Sequence, residues 1–156
     1  MGHPKDVGDR STLAIMLAFQ ARGHGVFLPF GENTRIDLLV DYGNRISRVQ
    51  CKTGRLRGGA VRFNTCSSYA HHSSATITKR TYAGEIDEFA VYCPELGSVY
   101  VVPITDVPTK RMAMLRVNAP RNNQRSGVRL AAVYEIGCVE VSAGGPIAGP
   151  DGPPGG

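Results

Sequence analysis

The sequence contains no tryptophan, and only 7% of its 156 residues are aromatic. It has no apolar run approaching the ~20 residues that a membrane-spanning helix requires, and residues 1–9 lack the apolar segment of a secretory signal. We therefore expect a cytoplasmic protein with no membrane partner. The motifs GxxxxGK[ST], GxGxxG and GxSxG are also absent, which excludes P-loop nucleotide hydrolysis, Rossmann cofactor binding and α/β-hydrolase chemistry.

Two features set the expected domain organisation. The four cysteines include no CxxC pair, so we expect buried free thiols rather than zinc ligands or disulfides. Residues 143–156 hold six glycines and four prolines, and we predict a disordered tail there because little could be buried to offset the entropy of ordering. Residues 1–142 are long enough for one domain with its own core.

Acidic residues are absent from two long stretches, one between Asp41 and Glu85 and the other over residues 107–134. These stretches contain 14 of the 18 lysines and arginines. Asn122, Asn123 and Gln124 lie between two of these arginines. We predict an extended anionic partner with phosphate and base contacts. The alternative is that the basic side chains only solvate exposed faces.

Hydrophobic periodicity predicts one helix, then several strands, then a second helix. The first helix is expected over residues 11–22 and the second over 128–136. Strands are expected over residues 25–30, 36–42, 45–52, 60–64, 89–93, 99–103 and 112–117. This order predicts an α/β fold with a mixed central β-sheet flanked by α-helices.

The strands over 36–42 and 45–52 are joined by Gly43 and Asn44, a pair suited to a two-residue hairpin turn. With that turn, Asp37 lies directly opposite Gln50, and such pairs have Cβ atoms about 4.5–5.5 Å apart. Because side chains alternate along a strand, Lys52 shares a face with Gln50. The register therefore brings a carboxylate, a carboxamide and an ammonium together.

This combination suits phosphate chemistry. A carboxylate and a neutral oxygen are hard ligands for Mg²⁺, for which Mn²⁺ can substitute, and Mg²⁺ keeps several waters and binds substrate phosphate. A neighbouring lysine stabilises developing charge and orients the attacking water. The pattern predicts phosphodiester hydrolysis with Asp37, Gln50 and Lys52 as catalytic residues. The alternative is that Gln50 and Lys52 are only solubilising residues at a strand edge.

Five ordered segments resemble the group I intron-associated branch of the PD-(D/E)xK nuclease superfamily. They are PFGEN (29–33), IDLLVD (36–41), VQCKTGR (49–55), GEIDEFAVYCP (84–94) and VYVVP (99–103). The resemblance implies a restriction-endonuclease-like core and a Mg²⁺-dependent DNA endonuclease of homing or restriction type. It also implies that Asp37 is the metal-binding carboxylate, Gln50 the ligand of a QxK variant motif and Lys52 the catalytic lysine.

The sequence departs from the family pattern on its first helix. The family often has a glutamate there, whereas the matching position in this chain is Thr12. A threonine supplies no negative charge, so metal affinity should suffer unless another carboxylate compensates. We expect Glu32, in the turn before the Asp37 strand, to serve as a further metal ligand.

The resemblance also implies double-stranded DNA as the partner. Because one chain carries one site, cutting both strands requires a homo-oligomer, a dimer or a tetramer. Three alternatives remain open: a Holliday-junction-resolvase-like nuclease, a catalytically silent DNA-binding module of the same fold, and an RNA-binding protein. The residues expected to contact DNA are Arg55, Arg57, Lys79, Arg80, Arg121 and Arg125.

Overall fold

The computed structural model describes residues 2–31, 33–70, 77–107, 111–118 and 128–138, with the backbone alone for 68–70 and 77–79. The expected tail over 143–156 lies outside these residues. The helices are α1 (Pro4–Ala21), α2 (Ala131–Tyr134) and a 3₁₀ turn (Ile104–Asp106). The strands are β1 (Gly25–Phe27), β2 (Leu38–Asp41), β3 (Ile46–Thr53), β4 (Arg55–Arg57), β5 (Ala60–Asn64), β6 (Cys66–Ala70), β7 (Ile77–Thr81), β8 (Glu88–Cys93), β9 (Ser98–Pro103), β10 (Met112–Arg116) and β11 (Glu135–Cys138).

Six strands form the central sheet in the order β1-β2-β3-β8-β9-β11. β3 and β8 run parallel, and the other neighbouring pairs are antiparallel, so the predicted mixed α/β sheet is confirmed. A second sheet has the order β10-β5-β4, and β6 pairs with β7. In the described ranges no helix is long and apolar enough to cross a membrane.

Helix α1 packs on one face of the central sheet. It begins at Pro4, before the predicted residue 11, because Pro4 suits the first helical position and His3 Nδ1 accepts a hydrogen bond from the Lys5 amide (3.3 Å). Its buried stripe includes Ile15 and Phe19, and it packs with residues of β2 and β3 such as Val40 and Val49. Helix α1 therefore covers this face of the central sheet.

The second sheet covers the opposite face of the central sheet. Val61, Phe63 and Leu115 from β5 and β10 pack with Phe89 and Val91 of β8 in one buried cluster. The sequence predicts a second helix over 128–136, and this predicted length is wrong. The helix α2 has four residues, and β11 follows it. The reason is that β11 satisfies the backbone groups on the open edge of β9.

The β2–β3 hairpin has the predicted register. Leu38 pairs with Val49 and Asp41 with Ile46, which confirms a two-residue turn at Gly43 and Asn44. Gly43 has a φ of 90°, a conformation that glycine adopts without steric cost. The paired residues end at Leu38 and Val49, and just beyond them the Gln50 carboxamide contacts the Asp37 carboxylate (2.7 Å).

Gly54 marks the point where the chain leaves the central sheet for the second sheet. Its amide donates to Tyr92 O (2.7 Å). A Cβ at this position would lie 2.6 Å from Val61 Cγ1 and 2.8 Å from Val91 Cγ1. Only glycine fits this close approach, which fixes β4 and β5 beside the end of β3.

Candidate active site

Asp37 anchors the site through its backbone and its side chain. Its amide donates to Val49 O (2.9 Å), the carbonyl of the residue that pairs with Leu38, and this bond holds Asp37 at the end of the hairpin. Its carboxylate Oδ2 accepts from Gln50 Nε2 (2.7 Å) and from the Cys51 amide (2.9 Å). Burial raises the pKa of Asp37, while the Cys51 amide and the Lys52 ammonium act in the opposite direction. The site thus contains a poorly solvated carboxyl group that a cation would stabilise in its charged form.

Gln50 presents an unsatisfied acceptor next to this carboxylate. Its Oε1 is buried and has no hydrogen-bond partner within the ranges that the structure covers. A buried polar atom left unpaired costs about 1–3 kcal/mol, so this oxygen favours a ligand. A neutral oxygen beside a carboxylate is a donor set that fits a hard divalent cation.

The described residues supply few anionic ligands here. Among the described residues, no group of three or more His, Cys, Asp or Glu side chains could hold a metal ion. Mg²⁺ accepts such a site because it is usually held by one or two carboxylates plus substrate phosphates and keeps several waters. The residues present therefore fit Mg²⁺ better than a metal that needs a complete protein cage.

Lys52 lies on the Gln50 side of β3. Gln50 pairs with Phe89 and Lys52 with Val91 across the parallel ladder. The Lys52 Nζ donates to the Tyr82 hydroxyl (3.1 Å) and lies 4.7 Å from the centre of that ring. The ammonium is thus held at a defined position on the face that carries the carboxamide of Gln50.

Tyr82 is a site residue that sequence reasoning missed. It is 5% exposed, and its ring packs edge-on against Phe89 with a centroid distance of 5.6 Å. The guanidinium carbon of Arg35 lies 4.0 Å from the Tyr82 ring centroid. No sequence motif marks this tyrosine, because the chain brings it to Lys52 only through tertiary packing.

Arg35 is fixed at several points. Its guanidinium donates to Ser67 Oγ (2.6 Å) and to Thr81 O (2.6 Å), and it forms an ion pair with Glu85. These contacts tie the segment before β2 to strands β6 and β7 and to the loop after them. Arg35 therefore braces the tyrosine that holds Lys52.

Thr12, the position that matches the family glutamate, lies near β3. Its hydroxyl donates to Gly8 O (3.1 Å), and its side chain counteracts part of the rise that burial causes in the pKa of the Cys51 thiol. The adjacent Ser11 hydroxyl bonds Thr53 Oγ1 (2.6 Å). The helix thus approaches the site strand with hydroxyl groups where the family often supplies a carboxylate.

Asp87, which precedes β8, contacts Arg48 of β3 through both its backbone and its side chain. Its carboxylate accepts from the Arg48 amide (2.8 Å) and pairs with the Arg48 guanidinium (2.9 Å), and its own amide donates to Arg48 O (2.8 Å). The hydrogen bond from Arg48 lowers the pKa of Asp87. Asp87 therefore connects the loop before β8 to β3.

The expected DNA contacts differ in their surroundings. Arg55 and Arg57 are exposed on β4, a strand that is not among those predicted from the sequence. Arg80 is exposed but forms an ion pair with Glu85. The Lys79 side chain, Glu32, Arg121 and Arg125 lie outside the described residues.

Comparisons with known proteins address the family and the fold. The family model described as PD-(D/E)XK endonuclease matches residues 2–137. The structure of the bacterial homing endonuclease I-Ssp6803I is similar, with a TM-score of 0.67 and 24% sequence identity over 86% of this chain and 89% of that chain. No curated protein matches. The family match spans most of the sequence, and the chain belongs to the PD-(D/E)XK endonuclease family.

Proposed function

We propose that the protein is a Mg²⁺-dependent DNA endonuclease of homing or restriction type that hydrolyses phosphodiester bonds at Asp37, Gln50 and Lys52. The observation that carries the proposal is the 2.7 Å contact between the Asp37 carboxylate and the Gln50 carboxamide. Gln50 and Lys52 are two residues apart on β3 and share one face of the strand. A carboxylate and a carboxamide oxygen that hold Mg²⁺, with an ammonium beside them, can together support phosphodiester hydrolysis. Family membership supports the same reaction.

Asp37 and Gln50 would hold the divalent ion, with Mg²⁺ preferred and Mn²⁺ able to substitute. When bound, the ion would supply Lewis-acid polarisation of a phosphoryl oxygen. The unpaired Gln50 Oε1 and the desolvated Asp37 carboxyl support this assignment, because both gain from a cation. Glu32 stays a proposed additional ligand.

Lys52 would stabilise the negative charge that develops on the phosphate. An ammonium group has three N–H donors, and one of them is directed at the Tyr82 hydroxyl. The other two remain for a phosphate oxygen and the attacking water. Tyr82, braced by Arg35, is proposed as the positioning residue that keeps Lys52 aimed at the substrate.

Double-stranded DNA is the proposed substrate. Only Thr53 and Gly54 separate Lys52 from the exposed Arg55, and the exposed Arg57 lies two residues further along β4, so phosphates next to the cleaved bond would meet these two arginines. Lys79, Arg80, Arg121 and Arg125 are proposed as further contacts. The similarity to a homing endonuclease supports a DNA substrate. Cutting both strands would require a homo-oligomer with two-fold symmetry.

A catalytically silent DNA-binding module is the second candidate, and Thr12 is the observation that favours it. With a threonine at that position and a neutral Gln50, Asp37 is the one carboxylate at the contact described above. Calorimetry with Ca²⁺ in the presence of DNA separates the candidates. A nuclease binds DNA more tightly when Ca²⁺ is present, and Asp37→Asn abolishes that gain, whereas a silent module binds equally well with a chelator.

Cleavage of supercoiled plasmid in Mg²⁺ or Mn²⁺ tests the proposal. Wild-type protein should nick or linearise the plasmid, and Asp37→Ala and Lys52→Ala should not. Asp41→Asn and Lys5→Ala are matched controls, because they change an aspartate at the far end of the same hairpin and a lysine on helix α1. Undiminished cleavage by both site variants would refute the assignment. A four-way junction in the same assay identifies a resolvase-like preference.

A further inference from the structure

The two acid-free stretches of the sequence meet in the second sheet. Strands β4 and β5 come from the first stretch and β10 from the second. β5 lies in the middle, with Val61 pairing both Leu56 of β4 and Leu115 of β10. Two basic regions that are far apart in sequence thus form one surface.

The two faces of this sheet differ sharply in composition. The inner face contributes Leu56, Val61, Phe63, Ala113 and Leu115 to the core. The outer face bears four exposed arginines and no carboxylate from its own strands. We name it the arginine face, and its arginines are Arg55, Arg57, Arg62 and Arg116.

The register places these arginines close together. Arg55 lies directly opposite Arg62, and Arg57 and Arg116 flank the small Ala60 on either side. With neighbouring strands about 4.8 Å apart, the Cα atoms of Arg57 and Arg116 are about 10 Å apart. Like charges directly opposite in a sheet are destabilising, so this arrangement favours an anionic partner.

Little within the protein neutralises these charges. Arg55 Nη1 lies 3.9 Å from Glu95. In the part of the chain that the structure describes, the side chains of Arg57, Arg62 and Arg116 form no ion pair or hydrogen bond. The arginine face is therefore available to a ligand.

The arginine face starts beside the candidate active site, because Arg55 follows Lys52 by three residues and the amide of Gly54, between them, donates to Tyr92 O (2.7 Å). The second sheet covers the side of the central sheet where Phe89 and Val91 are buried, and Gln50 and Lys52 pair with these two residues. Three residues span at most about 10 Å, so a polyanion bound at Arg55 would pass close to Lys52.

We propose that the arginine face binds the phosphate backbone of duplex DNA beside the scissile bond. The choice of DNA rests on the proposed function, while the surface itself rests on the register and exposure of the four arginines. Arg62 and Arg116 are the new assignments. Their contacts are electrostatic, so they contribute affinity without sequence preference.

Fluorescence anisotropy with a mixed-sequence duplex, full-length protein and chelator tests the proposal without any cleavage. Each lost phosphate contact should make the slope of log K against log salt less negative by about 0.9. The double variant Arg62→Gln/Arg116→Gln should therefore change the slope by about 1.8, and its affinity should fall about eightfold per contact at 0.1 M salt. Arg62→Lys/Arg116→Lys should retain most of the slope because it keeps both charges.

Arg10→Gln is the matched control, because Arg10 is exposed on α1 at the opposite side of the central sheet. An unchanged slope in the Gln double variant would overturn the proposal, as would tighter binding of single-stranded RNA that depends on the same arginines. If the wild type cuts DNA and the double variant keeps the wild-type slope, the arginine-face proposal alone fails. If the salt slope of the double variant is less negative by about 1.8 but the wild type never cuts DNA, the proposed function alone fails.

Discussion

Replacing Tyr82 by phenylalanine removes one hydroxyl group and leaves the ring in place. The ring keeps its packing against Phe89 and its contact with Arg35, so the melting temperature should fall only by what the lost hydrogen bond contributes, about 3–12 °C. The Lys52 ammonium loses its 3.1 Å hydrogen bond. A hydrogen bond to a charged group contributes about 1.5–3 kcal/mol.

We expect this loss to appear in the chemical step. Since about 1.4 kcal/mol corresponds to a tenfold change in rate, kcat for plasmid cleavage should fall by about 10- to 100-fold. KM should stay near the wild-type value, because Tyr82 is 5% exposed and holds Lys52 rather than DNA. Single-turnover cleavage and DNA affinity should be measured on the same preparations.

A second readout does not depend on activity. Acetylation of Lys52 by a limiting amount of reagent, followed by mass spectrometry, should be faster in Tyr82→Phe because the amine is no longer held. Tyr134→Phe is the control, since its hydroxyl donates to Asp106 Oδ2 (2.9 Å) instead. Wild-type kcat and wild-type Lys52 acetylation in Tyr82→Phe would refute the positioning role.

Three further predictions concern stability. Asp37→Asn removes a buried charge, so it should raise the melting temperature in chelator. In the wild type, Mg²⁺ at ten times its Kd should raise the melting temperature by about 3–5 °C, and Asp37→Asn should abolish this rise. The same rise with Mg²⁺ in the variant would contradict the metal assignment. Asp87→Ala should lower the free energy of unfolding by about 1–2 kcal/mol at pH 7. Arg48 lowers the pKa of Asp87. The stability that this pair contributes is therefore present above the ordinary aspartate pKa and is lost as pH falls through the lowered pKa of Asp87. The free energies of unfolding of wild type and variant, measured in urea, should converge in acid, and a difference that stays constant with pH would refute this. Gly54→Ala should cost about 1–3 kcal/mol in urea unfolding because of the contacts with Val61 and Val91, whereas Gly8→Ala, which has open space, should gain about 0.5–1 kcal/mol.

The β2–β3 hairpin shows how much local sequence can predict. The Gly43–Asn44 pair sets the turn, and the turn alone sets the register, so the opposition of Asp37 and Gln50 follows from residues 36–52. Strand pairs that neighbour each other in sequence, such as β8 and β9, were predictable for the same reason.

Features that depend on distant segments were not predictable in this way. Tyr82 reaches Lys52 across 30 residues of sequence, and β5 meets β10 from the other acid-free stretch. β11 begins at Glu135, inside the predicted second helix, because the edge of β9 satisfies its backbone, an effect that helical periodicity does not register. In each case tertiary pairing outweighs local preference.

The most direct test of the nuclease assignment uses a randomised duplex library incubated with Mg²⁺, followed by sequencing of the DNA ends. The wild-type protein should produce new ends that disappear in chelator and in Asp37→Asn. Ends of equal abundance in Asp37→Asn, or none above the chelator control for the wild type, would contradict an active site built on Asp37.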